Sequence, residues 1–253
     1  MMYDLQKADF WKRSSAFIFD KILLFVLAVG LAFLFSTALN IDTYSAQYRE
    51  RHTAYSEQYG VDLSISKGEY DALPEDERAT FYLAVDAFNK DETAIYATAM
   101  IFNLTLITVI FSILIAYAIL EFAIPLFLKN GQTLGKKIFG VGIMRLDGVK
   151  VSAPILFIRT ILGKYTIEVM VPVMILIGIR FGMFGILGLI IACLVVLTTL
   201  LMVIITKTNS PIHDMLASTV TVDMATQLIF DTPEAMLEYK QRVHAEMAEK
   251  AEY

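Results

Sequence analysis

Four runs of apolar residues, each long enough to cross a bilayer as a helix, constrain this chain more than any other feature. A hydrocarbon core of about 30 Å takes about 20 helical residues. Lipid offers no partner to a bare backbone amide, so runs of this kind become helices. They fall at about residues 16–39, 104–128, 160–179 and 181–205 of the 253. The second lies within a longer stretch, Ala94–Leu128, where Pro125 predicts a kink beside Glu121. The third and fourth are joined by IGIRFGMFGILG. Gly178-xxx-Gly182 there has the small-residue spacing of packed membrane helices, or simply marks a glycine-rich turn around Arg180. Ser36-Thr37-Ala38 resembles a signal cleavage site, but the uncharged run Ile22–Leu39 is longer than the ~7–15 residues of a signal core. The first run is therefore read as a retained span. An apolar fraction of 57% agrees, and the single cysteine, Cys193, leaves no disulfide framework.

Charge sets the expected orientation. Lys129–Lys164 carries seven bases against one acid, Asp147, and the N-terminal stretch adds Lys7, Lys12 and Arg13. Residues 40–93 hold twelve acids and five bases. Basic flanks stay in the cytoplasm. The expectation is an all-α integral membrane protein, a four-span helical bundle with both termini inside. Residues 1–228 form its membrane domain, 40–93 an extracellular insertion, and 229–253 a cytoplasmic amphipathic tail helix starting near Pro233. In that tail Glu238–Arg242 and Glu246–Lys250 have i,i+4 spacing. The insertion itself reads as helical. Tyr44, Tyr48, Tyr55 and Tyr59 share a helical face that ends at Gly60, and a second helix from Pro74 groups Phe81, Val85 and Phe88. These helices form a cap for a partner or ligand, or pack their own aromatic rings.

Between the second and third spans, NGQTLGKKIFGVGIMRLDGVKVS touches on a phosphate loop at Gly135-Lys136. Asn130 stands where the loop's first glycine belongs, and Lys137 replaces the hydroxyl that would hold magnesium. Nucleotide binding is excluded. The segment reads instead as a short interfacial helix with its lysines at the headgroups. A small cytoplasmic β-hairpin turning at Asp147-Gly148 follows.

Charges inside the spans carry the functional reading. Arg13 and Asp20 lie two helical turns apart on one face, about 10.5 Å along the axis. A carboxylate in a span costs about 2.5–3.5 kcal/mol on insertion scales, so it faces protein or a water cavity. Glu121 and Glu168 sit at a similar depth in the second and third spans. Asp20, Glu121 and Glu168 therefore form a candidate ion or proton site for a monovalent cation or a proton. The alternative pairs each acid with a base: Asp20 with Arg13 or Arg159, Glu168 with Lys164, and Glu121 with Lys129.

Arg13-x-x-Ala16-x-x-x-Asp20, GQTLGKKIFGVGI, a DG turn before Arg159-Thr160, and SPIHDMLASTVTV with Asp214 together resemble the RDD family. That family is named for one arginine and two aspartates. Carried over by position, its signature residues are Arg13, Asp20 and Asp214. Arg159, Lys164 and His213 are read separately as a supporting polar network. The resemblance implies a multi-pass bacterial plasma-membrane protein described as a transporter, with sodium/proton exchange proposed among relatives. The long acidic segment 40–93 departs from the family's shorter connection. Two readings follow: a small-cation/proton transporter, or a non-transporting membrane assembly or envelope-stress interaction protein. No nucleophile–base pair points to an enzyme, and neither a cofactor, a metal nor nucleic acid is implied. The expected partners are the lipid bilayer, a monovalent cation or proton, and further copies in a homo-oligomer, since four helices are few for a complete pathway.

Overall fold

The structure, a computed structural model, describes residues 5–128, 131–206 and 208–251. Helix α1 (Phe10–Ala38) is followed by α2 (Ile41–Tyr59), α3 (Lys67–Ala72) and α4 (Glu75–Asn89). Helix α5 (Glu92–Phe127) leads to α6 (Leu134–Ile138) and strand β1 (Val141–Arg145). Then come α7 (Ala153–Arg180), α8 (Gly185–Ile205), α9 (Ile212–Leu216), strand β2 (Thr219–Asp223) and α10 (Pro233–Ala251).

Helices α1, α5, α7 and α8 are the four long apolar ones, with span composition throughout. Most of their side chains face outward, among them Phe25, Phe33, Ile186 and Ile204. That much exposed apolar surface calls for lipid rather than water as its solvent. Their ends depart from the expected limits. Helix α1 begins at Phe10 rather than residue 16, because nothing in FWKRSS breaks a helix. Phe10 and Trp11 are exposed there with rings 5.5 Å apart, the aromatic pair of a membrane–water interface. Helix α5 is longer than residues 104–128. Helix α7 starts with Pro154 in its first turn, ahead of residue 160. Helix α8 starts only at Gly185, since Gly182 and Gly185 both take left-handed backbone in the turn. Gly182 therefore marks a turn rather than a helix–helix contact.

The chain divides into two compact units, Ala28–Ser112 and the combination of Met1–Leu27 with Ile113–Tyr253. In the first, the aromatic residues of the insertion pack on one another. Tyr48, His52 and Tyr55 surround the Phe88 ring, with centroids at 5.5, 5.6 and 5.8 Å. Gly60 ends α2 in the left-handed conformation expected of a C-cap. Arg51 pairs with Asp91, whose other oxygen accepts the Ala94 N–H at 2.7 Å and so secures the start of α5.

In the second unit β1 pairs antiparallel with β2, from Val141↔Asp223 to Arg145↔Thr219. This corrects the expected local hairpin. The turn at Asp147-Gly148 forms, but it returns only to one bridge, Met144↔Lys150. The main partner of β1 lies two spans away because Val220 and Val222 supply the branched side chains that bury Met144, with Ile229 packed alongside. The N-terminal stretch joins the same sheet edge through Lys7↔Val222 and an Asp223 N–H donated to the Gln6 carbonyl. The Lys150 N–H donates to the Phe230 carbonyl and the Phe230 N–H to the Gly148 carbonyl, and the Phe230 ring meets Tyr239 of α10 at 5.4 Å. The side chain of Lys250, expected to pair with Glu246, lies outside the described residues.

Candidate functional site

Asp20 is buried in α1, and its compensation comes from a distant segment of chain. One carboxylate oxygen accepts the Gly135 N–H at 2.8 Å, and the other accepts the Thr133 hydroxyl. Thr133 caps α6 by accepting the Lys136 N–H at 3.3 Å. Asp20 thus extends the cap and meets the exposed amides of a helix start, where negative charge is favoured. The approach requires small residues on both sides. A Cβ on Gly135 would lie 2.5 Å from the Ala16 carbonyl oxygen and 2.9 Å from Asp20 Oδ1. Ala16 and Gly135 of the two motifs therefore meet so that Asp20 can reach the backbone.

Glu121 is 2% exposed and lies in a π-helical stretch of α5, Ala118–Ala123. Wider turns of this kind release carbonyls from the helix ladder. The Glu121 carbonyl uses this freedom to accept the Thr160 hydroxyl at 2.9 Å. Its carboxylate forms an ion pair with Lys164 of α7. Lys21 of α1 stands 3.8 Å from the other oxygen and donates to the Tyr117 hydroxyl at 2.7 Å. One buried carboxylate is therefore within reach of lysines from two other helices.

Helix α7 is π-helical over Ile158–Met170, which sets Arg159 and Lys164 one π-turn apart. Arg159 Nε donates to Asp214 Oδ1 at 2.7 Å, with both side chains almost wholly buried. Thr219 donates to the same oxygen at 2.8 Å. Burial alone would raise the Asp214 carboxyl, but Arg159, His213 and Thr219 hold it well below the usual carboxylate range. His213 lies against Gly163, where a Cβ would come within 2.6 Å of its own Cβ. Its N–H reaches Glu168 Oε1 at 3.1 Å, and its Nδ1 lies 2.9 Å from that oxygen. Burial pushes the His213 imidazole down to about 4, despite the neighbouring Asp214 and Glu168, so it is neutral near pH 7. Arg13 donates to the Asn209 carbonyl at 2.5 Å and feels the charges of Asp214 and Arg159.

Each of the three acids has its own set of partners. Asp20 faces backbone and hydroxyl donors, Glu121 faces lysines, and Glu168 faces His213. Among the described residues no three His, Cys, Asp or Glu side chains gather as a metal would require. The expected pairings are also redrawn. Lys164 goes to Glu121 instead of Glu168, and Arg159 goes to Asp214 instead of Asp20. Arg13 takes a carbonyl, and Lys129 lies outside the described residues.

Sequence reasoning missed Lys21 and Lys136. A lysine at this depth of a span can reach back to the headgroups, and nothing in the sequence marks Lys21 as doing otherwise. Lys136 looked interfacial, yet it is 8% exposed while its neighbour Lys137 is exposed. Its ammonium makes no hydrogen bond or ion pair among the described residues. Burial, with Lys164 and Arg159 nearby, pushes Lys136 down to about 7 against the pull of Glu121 and Asp20.

The motifs that looked separate along the chain are thus one physical assembly. Ala16 and Asp20 receive α6, and the arginine entering α7 receives the aspartate of α9. No curated protein and no solved structure matches the chain. The family model described as "RDD family" matches residues 7–218, a stretch that includes Ala16, Asp20, α6, Arg159 and Asp214, and the chain belongs to that family.

Proposed function

We propose that this protein is a membrane transporter that exchanges a small cation for protons, using the buried charged cluster as its coupling site. The observation that carries this reading is the double claim on Glu121 by Lys164 and Lys21. A buried ion pair with a single partner is a static element, because removing that partner strands the other charge. A carboxylate with a second lysine in reach can lose one partner and keep the other. Two alternative pairings of similar energy make a switch, and alternating access needs such a bistable element.

Both termini are assigned to the cytoplasm. Pairing of Gln6–Lys7, β1 and β2 in one sheet edge supports a common side for these three segments. Helices α1 and α5 separate the first from the second, and α7 and α8 separate the second from the third. The basic flanks support the cytoplasm as that side. Four helices leave little room for a complete path, so the working form is a homo-oligomer.

The test is proton flux in proteoliposomes loaded with a pH-sensitive dye and challenged with sodium, lithium or potassium gradients. Cation-driven pH change that Glu121→Gln abolishes supports the reading. Flux indistinguishable from protein-free vesicles sinks it and leaves the non-transporting interaction role.

A further inference from the structure

Among the described residues, formal charges in the cluster do not balance. Asp20, Glu121, Glu168 and Asp214 are the buried or half-buried acids, and Arg13, Lys21, Lys136, Arg159 and Lys164 are the bases around them. His213 is neutral. Among the described residues each acid already has its donor, and each base except Lys136 has an acceptor. The assembly is neutral when Lys136 is an amine and carries one surplus positive charge when Lys136 is an ammonium. The groups acting on Lys136 come from three elements: Asp20 on α1, Glu121 on α5, and Arg159 and Lys164 on α7. An unpaired ammonium buried among them is costly, whereas a neutral amine is not.

We propose that Lys136 carries the coupled proton, so that the cluster holds its one surplus positive charge either as that proton or as the cargo cation, never as both. The inference rests on the exchange reading above and deepens it. Entry of the cation converts the Lys136 ammonium to the amine, and the proton leaves Nζ for water on the side then open. Release of the cation allows the amine to take a proton back. Exchange of one for one follows from electrostatics, without a shared carboxylate ligand. The lowered proton affinity of Lys136, near neutral pH, suits this cycle.

The experiment uses the purified full-length protein in detergent, weakly buffered near pH 7 with an indicator dye. Sodium, lithium or potassium chloride is added, and choline chloride serves as the ionic-strength control. At this pH Lys136 is about half protonated in wild type, which is therefore expected to release about half a proton per cation bound. Lys136→Met removes the titrating group and should bind the cation without releasing a proton, whereas Lys136→Arg fixes the surplus positive charge and should neither bind the cation nor release a proton. The arginine variant serves if the methionine variant fails to fold. Proton release from either variant at the wild-type level overturns the assignment to Lys136 and leaves exchange intact. Absence of release from wild type itself overturns the exchange reading and this proposal with it. Thermal unfolding gives a readout independent of cargo. A lysine neutral in the native state and protonated in the unfolded chain makes stability rise with pH between about 7 and its ordinary 10.5. Lys136→Met should flatten that rise, and an unchanged slope would also overturn the proposal.

Discussion

The carboxylate of Asp20 accepts the backbone N–H of Gly135 at 2.8 Å, which ties the first span to a helix start that follows the second. Gly135→Ala should therefore destabilise the protein although alanine favours helices. Its methyl group would strike the Ala16 carbonyl, a backbone atom that cannot swing aside. Overpacking of this kind costs about 1–3 kcal/mol, measurable as a lower thermal midpoint in detergent. A midpoint equal to or above wild type would show that α1 and α6 are not held this closely.

Arg159 and Asp214 should behave as a single unit. Removing one partner of a buried pair costs about 3–5 kcal/mol, because the other charge is stranded. Arg159→Met and Asp214→Asn should each be severe, and the double variant much milder than their sum. Arg13→Ala and Asp20→Ala should instead add to within about 0.5 kcal/mol, since they share no partner and lie two turns apart. Double-mutant cycles on unfolding free energy decide both cases, and reversal of the two results would refute the pairing described here.

Acid should destabilise the protein partly through His213. Its proton affinity in the fold is lower than in the unfolded chain, with values of about 4 and 6.5. The unfolded chain binds more protons across that window, so stability falls as pH drops from 6.5 to 4. The loss is on the order of 3 kcal/mol, from 1.36 kcal/mol per unit. Asp214 acts in the same sense at lower pH, because protonation takes away its depressed-carboxylate stabilisation. His213→Gln should flatten the upper part of the curve, as read by thermal midpoints across pH. An unaltered slope would place the acid sensitivity elsewhere.

Cysteine labelling will test the orientation. In a Cys193→Ala background, an impermeant maleimide should reach Thr53→Cys from outside intact cells and Lys137→Cys only after permeabilisation. Both positions are exposed on the protein. Labelling of position 137 in intact cells would invert the assignment.

The spans were legible because lipid dictates their length and polarity, and every backbone amide within them must bond locally. The partners of the charged residues were not legible. Lys164 and Glu168 have the i,i+4 spacing of an α-helical pair, but the π-helical stretch widens the turn and sends Lys164 to Glu121. Asp20 bonds a backbone amide, a partner that leaves no residue type to recognise. Lys136 and Lys137 are identical letters side by side in a five-residue helix, one buried and one exposed, so nothing local told which was buried. The strand that completes β1 carried a clear Thr-Val-Thr-Val alternation, but its register depends on two spans folding first.

That dependence has a consequence for how the protein is made. Strand β1 emerges from the ribosome with its edge open and cannot close until two more spans have been threaded and β2 has been synthesised. Closure of the small sheet is therefore a late event in biogenesis, possible only once α7 and α8 have been made and β2 has followed them. A chain arrested in mid-insertion would display a bare strand edge, the kind of surface that chaperones and quality-control proteases engage.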